Sequence, residues 1–371
     1  MHLIPSVLKW LLASLIVVVV IGTLVLLRIG DSGVGGVPSG KRLERIKRSP
    51  NYDGNEFVNL EPTRTIAEGG YWSVLKGYLR GDDNRKPPGP LPTMPVNLAP
   101  FTGDSSLCVS WFGHSTMLVR IDGVTLLFDP VFDDRVSLQI GGTQRFQPSP
   151  LSRDSLPPVD AVVISHDHYD HLEKTTVQYL APKGTVFVVP LGVGAHLSEW
   201  GVADSQIMEL DWWESTRMGS LELTCTPARH LSGRTLRRPN KTLWSSWAVH
   251  GPNHRIYFGG DTGPTKSFEE ISRRYGPFDL TILPIGGYGD QWPDIHLTPE
   301  QAVTAHIALR GERLLPVHWG AFDVALHPWN EPIERLVSSA RANHVEFITP
   351  QIGDVVDVDT NKPHSQWWDD L

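Results

Sequence analysis

The rhythm of hydrophobic and polar positions changes along the chain, and each change predicts a different kind of structure. Residues 10–27 are apolar throughout and carry no charge. Residues 30–40 are rich in Gly, Ser and Val and read as a flexible tether. Residues 51–100 hold many prolines, with one helix-like stretch at 71–79. Beyond them, short apolar runs follow closely. Those at 107–112, 117–121 and 125–128 read as a strand meander, with its tight turn at Ile121-Asp122-Gly123-Val124. Further strands are predicted at 161–164, 186–189, 221–226, 244–250, 255–258, 280–284 and 313–317. Helices are predicted at 172–180, 193–200, 266–275, 298–309 and 331–343. Thr298-Pro299-Glu300-Gln301 is a helix start, with Thr as cap and Pro at the first helical position. Strands in two runs with helices outside predict an α+β chain folded as a four-layer αββα sandwich.

The first apolar run changes the picture most. Lys9 and Arg28 bound eighteen uncharged residues, which at ~1.5 Å rise each about cross a ~30 Å hydrocarbon core. A cleaved signal peptide has an apolar core of only ~7–15 residues and a small-x-small site. Arg28-Ile29-Gly30-Asp31 supplies no such site. Residues 1–30 are therefore expected to form one N-terminal transmembrane helix, a single-pass anchor that localises the protein to the membrane. Lys41, Arg42, Arg45, Lys47 and Arg48 would hold the body in the cytoplasm by the positive-inside bias. A signal-anchor would place it outside, so the side of the membrane stays open.

Composition narrows the remainder. The chain has 371 residues, 40% hydrophobic and 20% charged, as a globular protein does. A net charge of −8 counts against a nucleic-acid partner. Cys108 and Cys225 both sit in strand-like runs and make no disulfide framework; buried free thiols are expected.

The chemistry concentrates in His166-Asp167-His168-Tyr169-Asp170-His171, directly after the apolar run Ala161-Val162-Val163-Ile164. Imidazole nitrogens and carboxylate oxygens are ligands zinc accepts when thiolates are absent. The spacing is too dense for one tetrahedral ion. It suits two, one taking His166 and His168 and the other Asp170 and His171. More ligand candidates stand at the ends of other apolar runs: His230, Asp261 within Gly259-Gly260-Asp261-Thr262-Gly263, and His318 before Trp319-Gly320.

These motifs resemble those of the metallo-β-lactamase superfamily. That resemblance implies a binuclear metal centre holding two Zn2+ or other divalent ions. His166, His168 and His230 would serve one ion and Asp170, His171 and His318 the other, with Asp261 bridging. Asp129 would orient a ligand histidine. Further segments, among them Trp111-Phe112-Gly113-His114, Asp211-Trp212-Trp213-Glu214, Trp244-Ser245-Ser246-Trp247 and Gly276-Pro277-Phe278-Asp279, are similar to the N-acylphosphatidylethanolamine-hydrolysing phospholipase D branch. The branch implies a phospholipid substrate and a bilayer partner. It also implies release of an N-acylethanolamine and phosphatidic acid by a metal-bridging hydroxide. Asp170, Asp261 and His296 would be the catalytic groups, His296 positioning substrate or donating a proton, and His114 a supporting one. The branch is expected to carry a polar residue before His296, where this chain has Ile295. A lactonase, a phosphodiesterase of soluble substrates and a non-enzymatic membrane envelope protein on the same fold remain alternatives. Self-association into a homodimer is left open. The expected division is an anchor at 1–30, a linker and irregular extension at 31–100, a hydrolase domain at 101–360 and a C-terminal tail at 361–371.

Overall fold

A computed structural model describes residues 33–81, 83–103, 107–136, 142–235, 239–360, 366–369 and 371, with 10, 13–18, 20 and 22 of the apolar run. In chain order the strands are β1 (Leu107–Trp111), β2 (Met117–Ile121), β3 (Val124–Phe128), β4 (Arg135–Val136), β5 (Thr143–Gln144), β6 (Ala161–Val163), β7 (Val186–Pro190) and β8 (Ile207–Leu210). They continue with β9 (Ser215–Met218), β10 (Leu221–Thr226), β11 (Ser246–His250), β12 (Arg255–Phe258), β13 (Phe278–Pro284), β14 (Gly311–Val317), β15 (Glu346–Phe347) and β16 (Val355–Asp357). The helices are α1 (Gly40–Ile46), α2 (Gly70–Arg80), α3 (Lys174–Leu180), α4 (Gly194–Glu199), α5 (Ser267–Tyr275), α6 (Pro299–Leu309) and α7 (Glu331–Ala342).

Two mixed seven-stranded sheets result, ordered β16-β1-β2-β3-β6-β7-β8 and β15-β14-β13-β12-β11-β10-β9. In each, an antiparallel meander passes into a parallel run, at the β3·β6 and β12·β13 pairs. The β2–β3 turn needs left-handed backbone at Asp122 (φ 48) and Gly123 (φ 85), as the twist of a two-residue hairpin demands. Strands β1 and β3 are buried along their whole length, so both faces are covered.

The burial of alternate residues separates the layers. Trp111, Val119, Leu126 and Phe128 of the first sheet meet Leu223, Trp247, Val249 and Phe258 of the second in one core. The Phe128 and Phe258 rings lie 4.9 Å apart there. Leu118, Leu127, Val162 and Phe187 point the other way, onto Val177 and Leu180 of α3 and Leu197 of α4. Phe268, Ile271, Val303, Ile333 and Leu336 of α5–α7 cover the outer face of the second sheet. The αββα expectation therefore stands.

Helix α6 begins as its sequence predicts. The Thr298 hydroxyl accepts the Gln301 N–H and the Gln301 side chain accepts the Thr298 N–H, at 3.3 and 3.0 Å. The stretch before β1 also packs on the sandwich. Ile46 and Phe57 enter the central core, and Arg42 and Arg45 of α1 pair with Glu209 and Glu214 at 2.5 Å each.

The expected transmembrane anchor is corrected. Among the described residues no helix is long and apolar enough to cross a membrane. A span needs an unbroken helix, because the bilayer core offers no partner for a free backbone N–H or C=O. The single-pass membrane localisation drawn from apolar composition falls with it. The rest of residues 1–32 lies outside the described residues.

Candidate metal centre

Each expected ligand sits just past the carboxyl end of a strand. Asp129 follows β3, His166 follows β6, His230 follows β10, Asp261 follows β12 and His318 follows β14. Because β3 runs parallel to β6, and β12–β14 run parallel to one another, these ends gather on one edge of the sandwich. Backbone geometry there is unusual. Asp129, His114 and His318 take left-handed φ values of 38, 53 and 63°, a conformation L side chains rarely hold without support from their surroundings.

The side chains converge on Asp261. Its Oδ2 lies 3.0 Å from His318 Nε2, 3.3 Å from His171 Nε2, 3.8 Å from His230 Nε2 and 4.0 Å from His166 Nε2. His166 Nε2 and His230 Nε2 approach His168 Nδ1 at 2.8 and 3.3 Å. Asp170 Oδ2 stands 3.7 Å from His171 and 3.8 Å from His318. Two clusters of ligand atoms emerge, one of His166, His168 and His230, the other of His114, Asp170, His171 and His318. Asp261 joins His166 and His171 in one grouping and His230 and His296 in another, so it lies between the two.

The surrounding hydrogen bonds turn the histidines toward this centre. His171 Nδ1 donates to Asp129 Oδ2 at 2.7 Å, leaving Nε2 to the site. Ser165 Oγ donates to Asp129 Oδ2 at 2.6 Å and receives His166 Nδ1 at 2.9 Å. His230 Nδ1 donates to the Ile295 carbonyl at 3.0 Å. His171 Nε2, Asp261 Oδ1 and both ring nitrogens of His318 are buried without a hydrogen-bond partner. Buried polar atoms are rarely left so, and His171 Nε2 and His318 Nε2, 3.3 and 3.0 Å from Asp261 Oδ2, fit cation ligation. A carboxylate or carbonyl on the far nitrogen of each imidazole is the usual support of a metal ligand.

The electrostatics agree. Burial holds His166 and His230 well below the ordinary imidazole range, so both rings are neutral and keep a lone pair. Burial alone would lower His171 too, but Asp261, Asp170 and Asp129 outweigh it and push that ring well above the usual range. Three carboxylates around one ring give the centre a field that favours a cation.

His296 presents a buried, unpartnered Nδ1 3.9 Å from Asp261 Oδ2, and burial lowers its pKa to about 3. His114 bonds Asp170 Oδ2 through Nε2 at 2.9 Å, and its backbone pairs with Trp319 O and His318 N–H. Glycine is required at two close approaches. A Cβ on Gly260 (φ 55) would meet Ser165 Cβ at 2.5 Å, and one on Gly287 (φ 79) would meet His318 Cε1 at 2.8 Å. The cluster opens into a groove of about 840 Å3 whose lining is mixed, with Ile66, Trp292, Ile295 and Val324 on its apolar part and Glu56, Arg234 and Asn240 on its polar part.

The structure thus brings together all seven expected ligands, with His114 and His296 at the margin. Sequence reasoning missed Ser165, which links Asp129 to His166, and Asn59, which bonds the His230 backbone. A serine beside a histidine carries no distinguishing spacing. An asparagine far upstream, in a stretch without period, carries none either.

Residues 125–319 match a family described as the Beta-lactamase superfamily domain. A Mycobacterium tuberculosis protein is 49% identical over 330 residues, covering 87% of this chain and 88% of its own. The N-acyl-phosphatidylethanolamine-hydrolyzing phospholipase D 1 of Caenorhabditis elegans is 34% identical over 284 residues, 71% of this chain and 80% of that protein. Among solved structures, Igni18, a metallo hydrolase from Ignicoccus hospitalis, shares the fold with a TM-score of 0.51 at 23% identity. That similarity spans 67% of this chain and 97% of Igni18.

Proposed function

The chain belongs to the beta-lactamase superfamily as a metal-dependent hydrolase, and we propose that it is a two-zinc phosphodiesterase acting on N-acylated phosphatidylethanolamine. It would release an N-acylethanolamine and a phosphatidic acid. The observation that carries the two-metal reading is the place of Asp261, whose carboxylate stands between two separate sets of ligand atoms. The lipid substrate is supported by the similarity to the worm phospholipase and by the apolar part of the groove at the cluster.

His166, His168 and His230 would hold one ion, and Asp170, His171 and His318 the other, with Asp261 shared. When bound, a pair of divalent ions supplies an activated water and neutralises the charge that builds on a phosphodiester. The protein's own groups do the rest. Asp129 and the Ile295 carbonyl keep His171 and His230 in the tautomers that face the centre. His114 Nε2 holds the same Asp170 oxygen that stands toward His171 and His318. His296, neutral at neutral pH, turns its free Nδ1 toward the space beside Asp261 and hydrogen-bonds a substrate oxygen there. Ile66, Trp292, Ile295 and Val324 receive an acyl chain and keep bulk water from the reacting bond.

Product analysis tests the substrate. Zinc-loaded protein, incubated with vesicles containing N-acyl phosphatidylethanolamine, should yield phosphatidic acid and N-acylethanolamine in equal amounts. Absence of phosphatidic acid from every N-acyl phospholipid tried would overturn the lipid reading and leave only a metal-dependent hydrolase.

A further inference from the structure

Residues 57–64 precede the matched superfamily domain, which begins at residue 125, and form no regular element. Yet their polar groups reach three of the loops that build the metal centre. Asn59 Nδ2 donates to the His230 carbonyl at 2.8 Å, while Asn59 Oδ1 accepts the His230 N–H at 3.1 Å. One side-chain amide thereby satisfies both backbone groups of a ligand residue. Glu61 Oε1 accepts the Thr265 hydroxyl at 2.6 Å and the Lys266 N–H at 2.9 Å, on the loop that follows Asp261. The Arg64 N–H donates to Asp294 Oδ2 at 2.8 Å, on the loop that precedes His296, and the Arg64 guanidinium donates to the same carboxylate at 3.2 and 3.4 Å. Arg229, next to His230, ties the set together through Thr63 Oγ1 at 3.1 Å and Asp294 Oδ2 at 3.3 Å. Phe57 anchors the segment: its side chain is fully buried and its N–H donates to the Asn240 carbonyl at 2.9 Å.

We propose that residues 57–64 are a clasp for the metal centre, and that Asn59 is a positioning residue for the ligand His230. An imidazole is aimed by its backbone and by the partner of its second nitrogen. Ile295 O supplies the second and Asn59 fixes the first. Metal ligation tolerates errors of only about 0.2 Å, so a loop freed at its backbone forfeits affinity even with every ligand present. Because the same segment holds the loops of Asp261 and His296, the clasp sets the spacing between ligands from separate strands. The inference rests on the metal-centre reading and not on the lipid substrate.

The test is metal binding by the full-length chain. Zinc affinity would be measured by competition with a chelator, and ligand geometry by the visible absorption of the cobalt(II) form. Asn59→Leu keeps the branching at Cγ but removes the two hydrogen bonds to the His230 backbone, along with the one from Trp244 Nε1. It should weaken one of two bound ions by roughly ten-fold or more and shift the cobalt spectrum, while the second ion binds as in wild type. Wild-type affinity at both sites with an unchanged cobalt spectrum would overturn the clasp. Wild-type protein that binds no metal would instead overturn the metal-centre reading itself. Should Asn59→Leu fail to fold, the double variant Glu61→Ala/Arg64→Ala loosens the segment without touching the core. It should release zinc to the chelator several-fold faster, and an unchanged release rate would overturn the proposal.

Discussion

At the scale of single residues, the centre depends on what holds the far nitrogens of His166, His171 and His230. Asp129 accepts His171 Nδ1 at 2.7 Å and the Ser165 N–H at 2.7 Å. Asp129→Asn would offer His171 an amide in place of a carboxylate and favour the wrong tautomer. The expected outcome is a loss of zinc affinity of about 10–100-fold with the fold retained, measured by chelator competition and circular dichroism. Unchanged affinity would remove Asp129 from the centre. The ligands were legible in the sequence because His166, His168, Asp170 and His171 crowd one strand end and the others recur after apolar runs. Ser165, Asn59 and the Ile295 carbonyl were not. They act through hydrogen bonds to neighbours fixed by the fold, and such bonds leave no period or composition behind.

At the scale of elements, local signals were read correctly where burial on both faces or a cap made them strong. Strands β1–β3 are mostly apolar, with β1 and β3 buried along their whole length, and α6 carries a complete capping box. Thr298→Ala should destabilise the protein by about 1 kcal/mol, seen as a lower denaturant midpoint, because the Gln301 N–H loses its acceptor. The elements that escaped sequence reading are marginal ones. Strand β9 alternates exposed and half-buried residues at a sheet edge, β15 has two residues, and α1 buries only Ile46. Edge strands and α1 depend on partners far along the chain, such as Glu209 and Glu214 for Arg42 and Arg45.

One contact between elements also predicts a pH dependence. The β2–β3 turn reaches the β11–β12 turn through Asp122, whose Oδ1 meets His254 Nδ1 at 2.7 Å. Burial would lower His254, but Asp122 and Asp359 outweigh it and raise its pKa above the ordinary value of 6.5. A raised folded-state pKa stabilises the fold fully below the unfolded value, and that stability is lost as pH rises through the folded one. Between about pH 6 and pH 9, wild type should therefore lose more stability than His254→Gln. Parallel losses in urea titrations would show that the pair does not couple the two turns.

At the scale of the whole molecule, two sheets with opposite halves of ligands make the site. The first sheet supplies Asp129 and the 166–171 loop, and the second supplies His230, Asp261 and His318. Neither half alone closes around an ion, so the centre reports directly on how the sheets pack. The αββα order was legible from strands in two runs with helices outside. The membrane anchor was drawn from apolar composition alone, and among the described residues no helix is long and apolar enough to cross a membrane. The most direct measurement is hydrolysis rate against zinc added to metal-free protein. The account predicts a negligible rate without metal, a plateau at two equivalents per chain, and no plateau activity in His318→Ala. Full activity in the metal-free protein, or a plateau at one equivalent that His318→Ala retains, would contradict a two-metal centre.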